Sequence, residues 1–332
     1  MRITKPSYFD QFRCLAGSCP DSCCKEWDVQ VDEHSAAIYH SLPGALGEKL
    51  RQVMYTEDSD VYLAIEDRRC PMWRDDGLCR IQAELGHDAL CKTCREFPRL
   101  THDYGDFVEL GLELSCPEAA RLILSAGDTP PVASHVPGGE APEYDTDAMA
   151  VLLRTRQAAL SLLNDPAFSP NEALALLLYY GYQAQAELDG EYAPDFVPGH
   201  ILSQAKQIAQ QGDAAGLIRF FTGLEILTPQ WADRLNAPVA PIPWQSQFRK
   251  LARYFVERYW LQAVSDYDLV CRVKFMVISC LLIRNLGGDL TQTAQRYSKE
   301  IENDADNVDT LLDGAYTYPA FTDTNLLGLL LK

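Results

Sequence analysis

The sequence predicts an α+β, predominantly helical protein in which a small cysteine-rich metal-binding module with short strands packs on a C-terminal helical half. Three observations carry that expectation. Nine of the eleven cysteines fall between Cys14 and Cys116. Short apolar alternations with a period of two lie in the same stretch. Beyond residue 148 the apolar residues recur at helical spacing instead.

The elements follow in chain order. Val29 and Val31 alternate with Gln30 and Asp32, and Val61, Leu63 and Ile65 alternate with Tyr62, Ala64 and Glu66, so both read as short strands. A clearer strand has Val108, Leu110, Leu112 and Leu114 alternating with Glu109, Gly111 and Glu113, and it delivers Cys116 at its end. Between them, Cys79 to Leu85 before Gly86, and His87 to Phe97 before Pro98, read as two short helices. On the second of these, Cys91 and Cys94 are three apart and share a face. Residues 1–125 are thus expected to form the cysteine-rich module.

Residues 126–147 hold Pro130, Pro131, Pro137 and Pro142 with several glycines and no apolar period, and are expected to be a linker. Residues 148–332 are expected to form a helical domain. Ser169-Pro170-Asn171-Glu172 is a capping box with proline at the first helical position. Phe248, Leu251, Ala252, Phe255, Val256 and Tyr259 make Gln247 to Val264 an amphipathic helix. Leu269 to Leu286 is apolar almost all round and is expected at the centre of that half. Its two cysteines, Cys271 and Cys280, read as small core hydrophobes.

Charge and compartment narrow the function. A net charge of −18 argues against nucleic acid, which wants a basic face. The acidic run Glu300, Glu302, Asp304, Asp306, Asp309 and Asp313 reads as a solvated helix face, with guidance of a lysine-rich substrate as the functional alternative. The N-terminus carries no secretory signal, and the longest apolar stretch, Phe275 to Ile283, is far short of the ~18 residues of a membrane span. A cytoplasmic protein without membrane association is expected, where a disulfide framework would be reduced. At 332 residues and 47% apolar content the chain has enough core that metal is not needed merely to rescue a small fold.

Soft thiolates select zinc or iron–sulfur clusters, and four complete either kind of site. The candidates are Cys14, Cys19, Cys23, Cys24, Cys70, Cys79, Cys91, Cys94 and Cys116, enough for two sites with one over, or for one site with structural thiols around it. The spacing around Cys19, Cys23 and Cys24 is neither a zinc-finger nor a ferredoxin pattern. Nor is it the C-x3-C-x2-C run of many radical enzymes, because Glu26 stands where the third cysteine would fall. His87 and His102 are the nearest imidazoles, each an ordinary surface or helix histidine unless the site recruits it.

Six ordered segments carry a family resemblance. They are Phe12-Arg13-Cys14, Cys19-Pro20-Asp21-Ser22-Cys23-Cys24-Lys25-Glu26-Trp27, Cys70-Pro71-Met72-Trp73, Gly77-Leu78-Cys79-Arg80-Ile81-Gln82, Leu90-Cys91-Lys92-Thr93-Cys94-Arg95-Glu96-Phe97-Pro98-Arg99 and Leu114-Ser115-Cys116-Pro117-Glu118. Together they resemble the flagellin lysine-N-methylase family; the Cys-x3-Cys-Cys element alone would suggest only the broader group of iron- or zinc-chelating proteins. The resemblance implies methyl transfer from S-adenosylmethionine to lysine side chains of flagellin, with an iron–sulfur cluster, 4Fe-4S, held by the N-terminal cysteines and zinc as the alternative metal. That a methyl-donor site exists is likewise implied by the resemblance alone, since no glycine-rich loop follows a strand, and no residue of this sequence is assigned to it.

A polar transfer needs a neutral lysine, so the site must desolvate the amine or offer a base. Glu109, Glu113, Tyr254, Tyr259 and Tyr297 are the candidate groups, each with a structural role as its alternative. Two rivals stand beside the methylase reading: a non-enzymatic metal-binding interaction module, and a cluster enzyme acting on another substrate.

Overall fold

A computed structural model describes residues 1–127 and 129–332. Asp128, inside the stretch expected as linker, lies outside the described residues. The fold is α+β and mostly helical.

Two small sheets serve two different cores. The first contains β1 (Arg2–Lys5), and the second contains β2 (Val29–Val31), β3 (Met54–Glu57) and β4 (Asp60–Leu63). Returning to the first sheet, the chain adds β5 (Arg99–Asp103), β6 (Phe107–Leu112) and β7 (Val132–His135). The first sheet has the order β5-β6-β1-β7, with β1 parallel to β6 and antiparallel to β7, and Ile3 opposite Val108. The second is antiparallel throughout, in the order β2-β4-β3. Its β3–β4 hairpin turns through Asp58 and Ser59, both at positive φ, the two-residue geometry that matches the twist of the flanking strands.

Several sequence expectations shift by a few residues. The strands at Val61 and Val108 end at Leu63 and Leu112, and β7 forms within residues 126–147. The helix expected over His87–Phe97 is divided into a short turn, His87–Ala89, and a helix, Lys92–Glu96. The cause is Asp32. One carboxylate oxygen accepts from the Ser35 amide at 3.0 Å and caps the helix Glu33–Ser41, while the other accepts from the Lys92 amide at 2.7 Å. Cys91 is thereby the extended residue before the helix rather than a member of it. Burial opposes ionisation of Asp32, but these amides hold its carboxyl down at about 2.

The larger core is helical. Leu269–Leu286 is buried at every position except Arg284, as its all-round apolar sequence requires. Asp268 caps its start through the Cys271 amide, and Gly287 ends it at φ 75°. It packs against Pro170–Leu188, Ala214–Phe221, Gln247–Tyr259 and Ala305–Thr317. The capping box at Ser169 is formed, with the Ser169 amide donating to Glu172 at 2.8 Å. Gln247–Tyr259 continues into a tighter turn over Trp260–Val264, completing the expected amphipathic span.

The acidic run does not form one solvated face. Glu300 and Glu302 are 1% and 8% exposed and sit in a π-helical turn, Ser298–Glu302, whose wider pitch turns each side chain toward a separate buried partner. The outer members, Asp304 onward, cap and line the helix Ala305–Thr317.

The division between cores falls inside residues 1–125. The small core runs from Val29 to Cys91, whereas Phe12 and the stretch from Phe107 join the large one. Close approach of the central helices depends on Gly181, where an added Cβ would lie 2.8–2.9 Å from three side-chain atoms of Val273. Gly181→Ala gains helix propensity of about 1 kcal/mol, but overpacking against a stiff β-branched neighbour costs about 1–3 kcal/mol. Urea unfolding should therefore show net destabilisation that Val273→Ala partly rescues; an additive double mutant would sink this packing account.

Candidate metal centre

All nine N-terminal cysteines line one cavity of about 650 Å³ between the two cores. Each arrives by a different local route. Cys14 follows the buried Phe12, and Cys19 ends a short turn over Ala16–Ser18. Cys79 precedes the helix Arg80–Leu85, Cys91 precedes Lys92–Glu96, and Cys116 precedes Pro117–Ser125, where proline occupies the first turn. The Cys70 amide donates to the Cys24 carbonyl at 2.8 Å, which sets two distant cysteine segments side by side. Glycine allows a second approach: a Cβ on Gly77, at φ 78°, would meet the Gly17 Cα at 2.9 Å, so the loops bearing Cys14–Cys19 and leading to Cys79 touch backbone to backbone.

The loop from Cys19 to Cys24 is tied to the helical body at Asp21. Gln295 donates to its carboxylate at 2.9 Å and to the Ser115 carbonyl at 2.6 Å, and Lys299 donates at 3.0 Å. Lys299 is only 4% exposed, lines the cavity, and also lies over the Trp27 ring at 4.8 Å. It is a cavity residue that the candidate set above does not include. The segment Tyr297 to Glu302 resembles the helical half of the flagellin lysine-N-methylase family, but the resemblance does not say that its lysine faces the cysteines.

All eleven cysteines are free thiols. Burial pushes Cys70 up to about 12 and Cys116 up to about 11, and raises Cys19 and Cys79. Two pairs behave differently. A hydrogen bond from the Cys23 thiol lowers Cys24 to about 7, and one from Cys94 lowers Cys91, so Cys24 and Cys91 are the thiolate-prone members. Among the described residues, no three His, Cys, Asp or Glu side chains converge as a single-ion site would require. The donor set is nevertheless that of a thiophilic metal, and the sulfurs line a wall around a volume many times that of one ion.

The other candidates lie mostly away from this cavity. His87 lines it. His102 instead lines a second cavity of about 370 Å³ with Glu109 and Tyr254, and burial lowers its pKa, favouring the neutral ring. Glu109 is engaged by Arg156 in a two-pronged ion pair at 2.6 Å. Tyr254 and Tyr259 donate to Glu302 at 3.1 and 2.8 Å, and Arg258 donates to the Tyr254 hydroxyl at 2.6 Å. Tyr297 is fully buried and shares a 2.6 Å hydrogen bond with Ser279. Burial drives all three phenols well above their ordinary range, which makes them donors rather than bases. Glu113 is also raised, chiefly by burial, with Arg258 opposing and Glu302 adding to the effect.

The comparisons with known proteins agree with the family resemblance. The flagellar biosynthetic protein FliU of Salmonella muenchen is 32% identical over 133 residues, covering 38% of this chain and 79% of that protein. The lysine-N-methylases of Salmonella typhimurium and Salmonella choleraesuis are each 31% identical over 133 residues, again 38% of this chain. The match covers only 33% of each lysine-N-methylase, so the chain spans about a third of their length. No family model and no solved structure matches the chain. With four-fifths of the FliU protein covered at this identity, the chain belongs to the flagellin lysine-N-methylase family. No helix among the described residues is long and apolar enough to cross a membrane.

Two outcomes test this geometry. Lys299→Met should speed amide hydrogen exchange across residues 14–24 while leaving protection in Leu269–Leu286 unchanged; equal exchange in both proteins would remove Lys299 as the anchor. For Glu113, a raised folded pKa means its contribution is fully present below the free value of 4.5 and lost as pH rises through the folded value. Glu113→Gln stays neutral, so its melting temperature should exceed the wild-type value at about pH 8 and lose that advantage toward about pH 4. A constant difference across that range would contradict the assignment.

Proposed function

We propose that the protein is an S-adenosylmethionine-dependent protein-lysine methyltransferase acting on flagellin, with an iron–sulfur cluster held in the thiol-lined cavity. The observation that carries this reading is the gathering of nine cysteines on one cavity wall in a chain of this family. The names of its relatives support a methylase and a flagellar context. A volume of about 650 Å³ is within the range of small-molecule sites, enough for a cluster beside part of an organic ligand.

The chain's own residues would prepare the acceptor and hold the centre. A cluster, when bound, supplies a redox-active, Lewis-acidic iron centre. Phe12, Trp27, Val29, Leu63, Met72 and Leu90 give the cavity an apolar wall. An amine entering it is desolvated, which favours its neutral, nucleophilic form. Lys299, fixed by Asp21, supplies a cation facing an anionic thiolate-ligated centre. Cys24 and Cys91, already biased to thiolate, are the natural first ligands.

The test uses anaerobically prepared, cluster-loaded protein, S-adenosylmethionine and unmethylated flagellin. Mass spectrometry should find added methyl groups on flagellin lysines, with the rate rising with pH as the bound amine deprotonates. A loaded preparation that binds the donor but methylates no flagellin lysine between about pH 7 and pH 10 defeats this reading.

A further inference from the structure

The nine thiols share a cavity but not a support. Cys70 and Cys91 are buried in the small core, and Cys24, Cys79 and Cys94 pack against it. Cys116 is buried in the large core. Cys14 stands two residues from Phe12, a member of the same large core, and Cys19 begins the loop that Asp21 fastens to Gln295 and Lys299. The electrostatic neighbourhoods divide along the same line. Cys116 lies within reach of Cys14 and Cys19, whereas Cys70 and Cys79 each lie within reach of Cys24 and Cys91. Cys23 belongs to both neighbourhoods, with Cys14 and Cys116 as well as Cys24 and Cys94 among its electrostatic neighbours.

We propose that the chain holds two thiolate-ligated metal centres, one carried by Cys14, Cys19, Cys23 and Cys116 on the large core and one by four of Cys24, Cys70, Cys79, Cys91 and Cys94 on the small core. This rests on the metal-binding reading above and adds a second centre to it. The supply of thiols fits, because each centre needs four sulfurs and the two supports offer four and five. Division of the adjacent Cys23 and Cys24 between centres has a chemical parallel: in two-cluster ferredoxins one cysteine of a single run ligates the other cluster. The arrangement also explains why the Cys-x3-Cys-Cys segment fits no single-site spacing. It lies along the seam and serves both sides.

The experiment takes the full chain, prepared without oxygen and supplied with ferrous iron and sulfide, or with zinc alone. Metal and sulfide are counted, and Mössbauer and electron paramagnetic resonance spectra are recorded. The variants are Cys14→Ser with Cys19→Ser, and Cys79→Ser with Cys94→Ser, chosen from the less buried members of each set. Circular dichroism reports whether each folds, and where a double variant does not, Cys19→Ser or the pair Cys24→Ser with Cys79→Ser is read instead. Two centres per chain are expected, each double variant losing one spectral component and about half of the metal.

One centre per chain, no retained metal, or loss of both centres from either folded variant would overturn the proposal. A single four-iron cluster would spare the methylase reading while removing the second centre. Two zinc centres without sulfide would support two centres while removing the iron–sulfur chemistry.

Discussion

The thiol cavity depends on one buried cation. Lys299 sits in the large core at 4% exposure, where an unpaired ammonium would cost several times the worth of an ordinary hydrogen bond. Asp21 supplies the counter-charge at 3.0 Å and the Trp27 ring covers the ammonium at 4.8 Å. Both partners belong to the loop region between the cysteines and the first strand of the small core. Satisfying Lys299 therefore draws the Cys19–Cys24 loop onto the helical body and closes the cavity on that side. The π-helical turn makes this possible by sending Lys299 to Asp21, Glu300 to the Leu227 amide and the Thr228 hydroxyl, and Glu302 to two tyrosines and Arg258. Each of the three charged side chains thereby finds its own hydrogen-bonding partners.

How much of this could be read beforehand follows the range of the interactions. The central helix Leu269–Leu286 was legible to its ends, because burial all round, an aspartate cap and a terminal glycine are local signals. The capping box at Ser169 is legible for the same reason. β1 and β7 are not, since Arg2–Lys5 and Val132–His135 lack apolar alternation and become strands only through their pairing with each other and with β6. β3 hides behind a hairpin turn of Asp58 and Ser59 instead of the usual glycine. The cysteines announce a metal site by their density, yet their spacing says nothing of which core carries each one. That depends on contacts such as Gln295 with Asp21, 274 residues apart.

The candidate bases illustrate the same limit in chemical terms. Glutamate and tyrosine are legitimate acid–base groups by type, but Glu109 is engaged by Arg156, and Tyr254 and Tyr259 serve Glu302. Burial keeps the Tyr254 and Tyr259 phenols protonated rather than poising them near neutrality. For the proposed methyl transfer, desolvation of an acceptor amine by the apolar cavity wall is consequently a more economical route to the neutral form than a dedicated base.

If metal is bound as proposed, the unequal size of the two cores gives it two different tasks. The helical body buries a continuous core from Phe12 to Leu330, anchored by a helix with only one position reaching solvent, and such a core folds on its own resources. The small core spans Val29 to Cys91, a length at which hydrophobic burial alone barely offsets chain entropy. Two of its buried members are cysteines, and three more cysteines pack on its rim. Thiols there replace aliphatic side chains that would have strengthened the core, so the small core yields stability unless metal binding returns it. On the large core the proposed ligands sit at the edge of a structure already secure, where a bound metal would add chemistry more than stability. Loss of metal should then be felt first as loosening around Val29 to Cys91, with the helical body left standing and Cys116 held in place.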